Sequence, residues 1–292
     1  MNLWEEIEQS LTATLGRAVH LKGNSPVGGG SINQAYRVES NQGPFFVKLN
    51  SANGVEMFNA EAEGLEELQQ AEFLRVPAPL AWGRADKQAY LVLECMELDG
   101  SGSAVALGHG LAAMHQVNAD SFGWYRDNTI GSTPQRNRHT DNWCEFWQQQ
   151  RLGYQLDLAN RKAGSSGFRN QGEQLLEALP LLLGGHMPEA SFLHGYLWSG
   201  NYAYTRAGEP AIFDPAVYYG DRETDIAMTE LFGGFGREFY AAYRDSWPLD
   251  SGYATRKTLY NLYHVINHFN MFGGGYLSQA QGMMADLLSQ VR

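Results

Sequence analysis

Residues 194 to 201 read "HGYLWSGN", and the types and spacing of His194, Tyr196 and Asn201 match the frame of a phosphoryl-transfer loop. In that frame a carboxylate stands two residues after the His, and an Asn follows five residues later. The carboxylate accepts the proton of the attacking hydroxyl, and the Asn holds Mg²⁺. Here Tyr196 stands where the carboxylate belongs. A phenol with a reference pKa of about 10 is neutral at pH 7 and bulkier than a carboxylate, which makes it a weak proton acceptor.

Other residues extend the pattern. Asp214 closes the apolar run "AIF" 13 residues after Asn201, a span that suits a hairpin bringing both to one site. A carboxylate and an amide oxygen are hard ligands suited to Mg²⁺. Lys48 lies in "FFVKLN", a strand position where a charged side chain needs a partner or a ligand if it points inward. The helical stretch "EMFNAEAEGLEELQQAEF" sets Phe58, Leu65, Leu68 and Glu61 on one face, with Glu63 on the opposite side. Glu61 is therefore the expected mate of Lys48, in the strand-lysine to helix-glutamate pair that orients ATP phosphates.

Gly28, Gly29, Gly30 and Ser31 form a turn between strands, where glycines let backbone amides approach a phosphate. The order differs from a Walker motif, and a glycine turn alone equally makes a flexible hairpin. An outward Lys48 and a strand-end turn at Asp214 are the plain alternatives. The order Lys48, Glu61, Asn201, Asp214 favours a nucleotide site using ATP and Mg²⁺.

The elements that must position these residues fall into two groups. Leu3, Ile7, Leu11 and Leu15 are spaced four apart, which predicts an N-terminal helix stopped by Gly16. Three strands punctuated by Gly, Asn and Ser follow, then the Glu61 helix and two further strands ending at Glu94, Cys95 and Met96. A Gly/Ser stretch at 100–103 reads as an interlobe hinge. Beyond it the chain turns mostly helical, with helices expected in "AVALGHGLAAMHQV", in "DNWCEFWQQQRLGYQLDLANRKA" and in "NQGEQLLEALPLLLGGH", the last interrupted near Pro180. The expected class is α+β, with a small antiparallel-sheet lobe over residues 1–97 and a mainly helical lobe over 98–292.

Composition narrows the function. With 292 residues, 43% of them apolar, the chain can bury a core. A net charge of −11 suits neither nucleic acid nor an anionic membrane, and favours a small neutral or cationic substrate. Cys95 and Cys144 lie far apart without a C-x-x-C companion, so they read as structural thiols. The N-terminal "MNLWEEIEQS" has no signal-peptide order, and a cytoplasmic location is expected.

The segments "GGGSINQAYRV", "FFVKLN", "MFNAEAEGL", "YLVLECMEL", "FGWYRDNTIGSTPQRN", "HGYLWSGN", "FDPAVYYGDRETDIAMTELFGGF" and "LYHVINHFNMFGGGYL" resemble, in order, those of the fructosamine (ketosamine) kinase family. The resemblance covers nearly the whole chain. It implies a protein-kinase-like two-lobe fold, shared with aminoglycoside and choline phosphotransferases, and phosphorylation of a sugar hydroxyl on ketoamine adducts, which starts deglycation. Carried over by position, Lys48 pairs with Glu61 and holds the phosphates, Asn201 and Asp214 bind the metal, residues 94 to 96 (Glu94 to Met96) bond the adenine, and Tyr196 occupies the place of the catalytic Asp.

That departure leaves three readings: a nucleotide-binding pseudokinase, an altered residue in a sound enzyme, and an active enzyme using another base. The otherwise intact site favours an isolated substitution, and Asp221 and Asp225 are expected to serve the following loop and helix. An aminoglycoside- or choline-type phosphotransferase is the alternative enzyme. Ser31 replaces a cysteine that some family members carry, so no thiol-linked dimer through the glycine turn is expected. His194 is expected to be structural, while Arg222 and Glu223, near the metal acid in sequence, read equally as site residues and as structural salt-bridge partners. Trp143, Phe146 and Trp147 are expected to pin a loop rather than cover a sugar face, and Tyr260, His264, Asn267, His268 and Met271 to form one helical stripe, mostly core, with any mouth-facing members able to touch substrate.

Overall fold

A computed structural model describes residues 2–28, 30 and 32–291. The chain divides into two compact units, Met1–Ser103 with Tyr202–Pro215, and Ala104–Asn201 with Ala216–Arg292. The boundary expected after residue 97 thus falls inside the first unit, and the segment expected to lie wholly in the helical lobe returns residues 202–215 to the first. The reason is backbone pairing over long sequence distance. Arg75 N donates to Pro210 O at 3.0 Å, Ile212 N to Arg75 O at 2.9 Å, and Arg206 N to Glu97 O at 3.0 Å.

In the first unit, helix α1 (Leu3–Leu15) starts at a capping box in which Asn2 and Glu5 exchange side-chain to backbone bonds of 3.0 Å. It ends at Gly16, whose φ of 64° suits glycine. Strands β1 (Leu21–Val27), β2 (Gln34–Ser40), β3 (Phe45–Ser51), β4 (Pro79–Ala85) and β5 (Gln88–Glu94) form an antiparallel sheet in the order β1-β2-β3-β5-β4. Ile7 and Leu11 of α1 cluster with Val38, Val47, Leu49 and Val92. Each such apolar side chain, fully buried, contributes about 1.5–3 kcal/mol. Because strand side chains alternate, Lys48 points away from the face that Val47 and Leu49 give to this cluster. Helix α2 (Val55–Gln70) buries Phe58, Leu65 and Leu68, the face expected from the sequence.

The second unit holds helices α3 (Ala104–His115), α4 (Trp143–Phe146), α5 (Gly153–Ala163), α6 (Ser166–Leu183), α7 (Glu223–Leu231), α8 (Arg237–Ser246), α9 (Tyr253–Phe272) and α10 (Tyr276–Ser289). A three-stranded antiparallel sheet of Asn118–Ala119, Ala190–Leu193 and Tyr218–Gly220 delivers the chain to His194. The two units together bear out the α+β class, with a small antiparallel sheet in one and mainly helices in the other.

Two local features differ from expectation. Helix α6 runs unbroken through Pro180. Proline leaves the carbonyl four residues earlier without a helical donor, and that carbonyl, Leu176 O, accepts from Gln148 Nε2 at 3.0 Å. Between α4 and α5 the helix widens into a π segment, Trp147–Leu152, which carries the buried Arg151 to the carbonyl of Arg136 and to Asn137 Oδ1. Trp143, Phe146 and Trp147 pack with Phe122 and Tyr260 as buried core, in keeping with a pinning role. Cys95 and Cys144 are free thiols, each pushed up by burial.

Candidate active site

Lys48 is brought together with two carboxylates from different elements of the first unit. Its Nζ bonds Glu61 Oε1 of α2 and Asp214 Oδ1 at 2.5 Å. The sequence predicted the Glu61 pair, whereas the direct bond to Asp214 was not foreseen. Side-chain exposure is 6% for Lys48, 11% for Glu61 and 49% for Asp214. Burial alone would push the Lys48 ammonium down, but the neighbouring Asp214 and Glu61 carboxylates outweigh it and hold the group above the ordinary lysine range. Burial pushes Glu61 up, opposed by Lys48 and reinforced by Asp214.

One ammonium against two carboxylates leaves an excess negative charge, and Asp214 presents it on the exposed side of the cluster. Such a half-exposed carboxylate fits a divalent cation. Asp214 has a φ of 58°, a left-handed backbone that Asp tolerates better than most residues, here just before Pro215, which disfavours helical backbone at the preceding residue. Backbone held in sparsely populated regions clusters at functional sites.

The expected adenine and phosphate positions lie in the same unit. Glu94 caps β5, where its carboxylate accepts from Arg75 Nη2 and, at 3.3 Å, from Ala78 N. Glu94 N donates to Ala78 O at 2.8 Å, and Met96 follows in the same segment. A Cβ at Gly28 would meet open space, and one at Gly30 would sit 3.2 Å from Asn33 O. Gly29 and Ser31 lie outside the described residues.

In the second unit, the loop from His194 to Asn201 hangs on Asp225 of α7. The Asp225 carboxylate accepts from His194 N at 2.8 Å and Gly195 N at 2.9 Å, and from His115 Nε2 of α3 at 3.1 Å. Burial alone would raise Asp225, but its bond to His115 and these loop contacts hold it below the usual carboxylate range. Gly195 has a φ of 79°, and a Cβ there would lie 2.0 Å from Ala216 O, so glycine is required. His194 is fully buried, accepts from Tyr196 N at 3.3 Å through Nδ1, and takes Ala216 N on its carbonyl at 2.9 Å. The amide nitrogen of the buried Asn201 donates to Tyr196 O at 2.9 Å.

The Tyr196 hydroxyl lies 3.4 Å from His268 Nε2, and His268 Nδ1 lies 2.7 Å from His264 O. The Tyr196 ring faces the His264 ring with centroids 6.1 Å apart and planes inclined by 17°. Burial lowers both imidazoles, His264 to about 3 with His268 adding to the effect. Asp221 is buried and takes His186 Nε2 at 2.9 Å, Tyr260 OH at 2.5 Å and Glu223 N at 3.0 Å. Both carboxylates, Asp221 and Asp225, are thus engaged by donors of the loop and helix around them. Glu223 pairs with Arg256 in the core at 2.6 and 2.9 Å, and Arg222 lies 4.0 Å over the Trp247 ring, both structural.

Sequence reasoning missed Arg75, His115, the clamping part of Asp225, and the tie from His268 to Tyr196. Each contact spans 19 residues or more, beyond the reach of local periodicity.

A buried strand lysine paired to a helix glutamate and a strand-end aspartate, with a loop of the His194–Asn201 kind, marks an ATP-dependent phosphotransferase of protein-kinase-like fold. The chain belongs to the fructosamine kinase family, whose pattern matches residues 3–290. It is 47% identical over 289 residues to a probable ketoamine kinase of Synechocystis sp., covering 98% of this chain and 97% of that one. It is 42% identical to the chloroplastic protein-ribulosamine 3-kinase of Arabidopsis thaliana, over 96% of this chain and 86% of the other. A crystal structure from Haemophilus somnus, provisionally assigned as a fructosamine-3-kinase, superposes with a TM-score of 0.91 at 28% identity, over 98% and 97% of the two chains. The fold alone is shared with an aminoglycoside phosphotransferase solved with ADP and hygromycin B, at a TM-score of 0.61, 14% identity and coverage of 97% and 98%. No helix among the described residues is long and apolar enough to cross a membrane.

Proposed function

We propose that this protein transfers the γ-phosphoryl group of ATP to a sugar hydroxyl of a ketosamine, a fructosamine or ribulosamine adduct, as a deglycation step in the cytoplasm. The observation that carries this reading is the buried Lys48 held between Glu61 and Asp214. The family membership and the ketoamine and ribulosamine kinases among its relatives support the acceptor class. The net charge of −11 fits a cationic amine adduct better than a polyanion.

In this reading the first unit handles nucleotide. Glu61 holds Lys48 so that its ammonium meets the phosphates, Gly28 and Gly30 approach them through their backbone, and the segment Glu94 to Met96 meets the adenine. Asp214 of the first unit and Asn201 of the second are each hard-oxygen candidates for Mg²⁺, which would neutralise phosphate charge when bound. The second unit handles the acceptor through the Asp225-clamped loop, with Tyr196 at the acceptor hydroxyl and His194 bracing it from within. Loss of the carboxylate at position 196 slows turnover by about 10²- to 10⁴-fold relative to an Asp-bearing site.

The test is ADP release with ATP and Mg²⁺ across a panel of synthetic fructosamine, synthetic ribulosamine, an aminoglycoside and choline. Phosphorylation confined to the ketosamines is the expected result. Preference for the aminoglycoside or choline would assign a different acceptor, and nucleotide binding without turnover on any acceptor would make the protein a nucleotide-binding pseudokinase.

A further inference from the structure

We infer that Tyr196 and His268 work as a pair, in which His268 fixes the phenol so that its oxygen accepts a hydrogen bond from the acceptor hydroxyl. This rests on the ketosamine reading above and assigns the work left to a site without its carboxylate.

The polarity of the pair follows from its bonds. His268 Nδ1 faces the His264 carbonyl at 2.7 Å, and a carbonyl only accepts. The Nδ1 atom therefore carries the proton, and in a neutral imidazole Nε2 is then the acceptor. Burial keeps His268 neutral by lowering its affinity for a second proton. The Tyr196 hydroxyl, 3.4 Å from Nε2, is then the donor in this contact, and a hydroxyl that donates keeps its oxygen lone pairs as acceptors.

An orienting acceptor is useful even when it is a poor base. In a loose phosphoryl-transfer transition state, catalysis is mostly positioning and charge stabilisation. The bond from the acceptor oxygen to phosphorus forms as the bond to the ADP oxygen breaks. The hydroxyl proton stays hydrogen-bonded to the Tyr196 oxygen while the oxygen–phosphorus bond forms, and passes from the phosphorylated oxygen to water once that bond is made, so Tyr196 neither gains nor loses a proton. His268 touches no reacting atom and is a positioning residue acting through Tyr196.

Two measurements test the pair in the full-length protein. In steady-state kinetics with ATP, Mg²⁺ and a synthetic fructosamine, Tyr196→Phe and His268→Phe should each lower kcat by about tenfold, the worth of one oriented hydrogen bond, with KM for ATP unchanged. The double variant should be no slower than either single one, and His268→Gln, whose amide oxygen can accept the phenol proton, should recover most of the activity. Nitrogen-15 spectra should show His268 protonated at Nδ1, with an Nε2 shift that moves on Tyr196→Phe. The inference is overturned by an Nε2-protonated His268, by an unchanged kcat in His268→Phe, or by a loss equally large in the Tyr196→Phe background. A silent parent beside an active Tyr196→Asp would overturn the pair and leave the ketosamine reading standing. Silence in both would remove the ketosamine reading and the pair with it.

Discussion

Replacing Asp225 with Asn changes the site by one charge and almost no volume. The carboxylate receives two backbone donors on separate oxygens, His194 N on Oδ2 at 2.8 Å and Gly195 N on Oδ1 at 2.9 Å, while His115 shares Oδ2 at 3.1 Å. Either orientation of an amide sets its NH₂ group against one of the two backbone N–H groups. That donor loses its partner and meets another donor. Asp225 is 1% exposed and His194 and His115 are 0% exposed, so no solvent reaches the mismatch. An unsatisfied buried polar group costs about 1–3 kcal/mol, and bonds to a charged group are worth more than neutral ones, so the expected loss is about 2–4 kcal/mol. Urea unfolding followed by circular dichroism reads the stability, and ADP release reads the loop. Asp225→Asn should lower the midpoint of the second unit and cut kcat while leaving affinity for a nonhydrolysable ATP analogue within about twofold. A stability loss below about 0.5 kcal/mol, the usual size of an uninvolved surface change, with kcat intact would refute the clamp.

Three further outcomes follow from the same geometry. Gly195→Ala combines a φ of 79° with a Cβ 2.0 Å from Ala216 O, and should destabilise by at least about 2 kcal/mol; a folded, fully active variant would show that the loop relaxes freely. Glu61→Gln removes one of the two carboxylates on Lys48 and should weaken ATP-analogue binding by about tenfold in calorimetry, whereas unchanged affinity would detach the pair from nucleotide binding. His264 stays neutral in the fold down to about pH 3, while an unfolded His protonates below about 6.5. The unfolded chain thus binds more protons between those values, so this contribution is fully present above pH 6.5 and is lost as pH falls from there toward 3, by up to about 1.4 kcal/mol per pH unit. His264→Phe should flatten the decline of stability from pH 6 to 4, and parallel curves for the two proteins would contradict the assignment.

What was legible in the sequence is what neighbouring residues encode. The four-residue spacing of Leu3, Ile7, Leu11 and Leu15 is α1, and the face shared by Phe58, Leu65 and Glu61 is the buried side of α2 and the partner of Lys48. The rest depends on partners remote in sequence. Pro180 stays inside α6 because Gln148, 28 residues from Leu176, takes over the carbonyl that proline leaves. Residues 202–215 belong with the sheet unit because Arg75 pairs with Pro210 and Ile212. Asp225 reads locally as one acid in an acidic stretch, and only the folded chain sets it under His194 and Gly195. His268 looked like core on a helical stripe, and it is buried as expected, yet its Nε2 meets a tyrosine 72 residues away.

The central claim is that a sound ketosamine kinase site carries Tyr196 in place of its catalytic carboxylate. ADP release from ATP and Mg²⁺ with a synthetic fructosamine, measured side by side on this protein and on Tyr196→Asp, tests it most directly. The account predicts slow turnover by the parent and a rise of about 10²-fold or more in Tyr196→Asp, with equal affinity for the nucleotide. No turnover by either protein, or equal turnover by both, would contradict it.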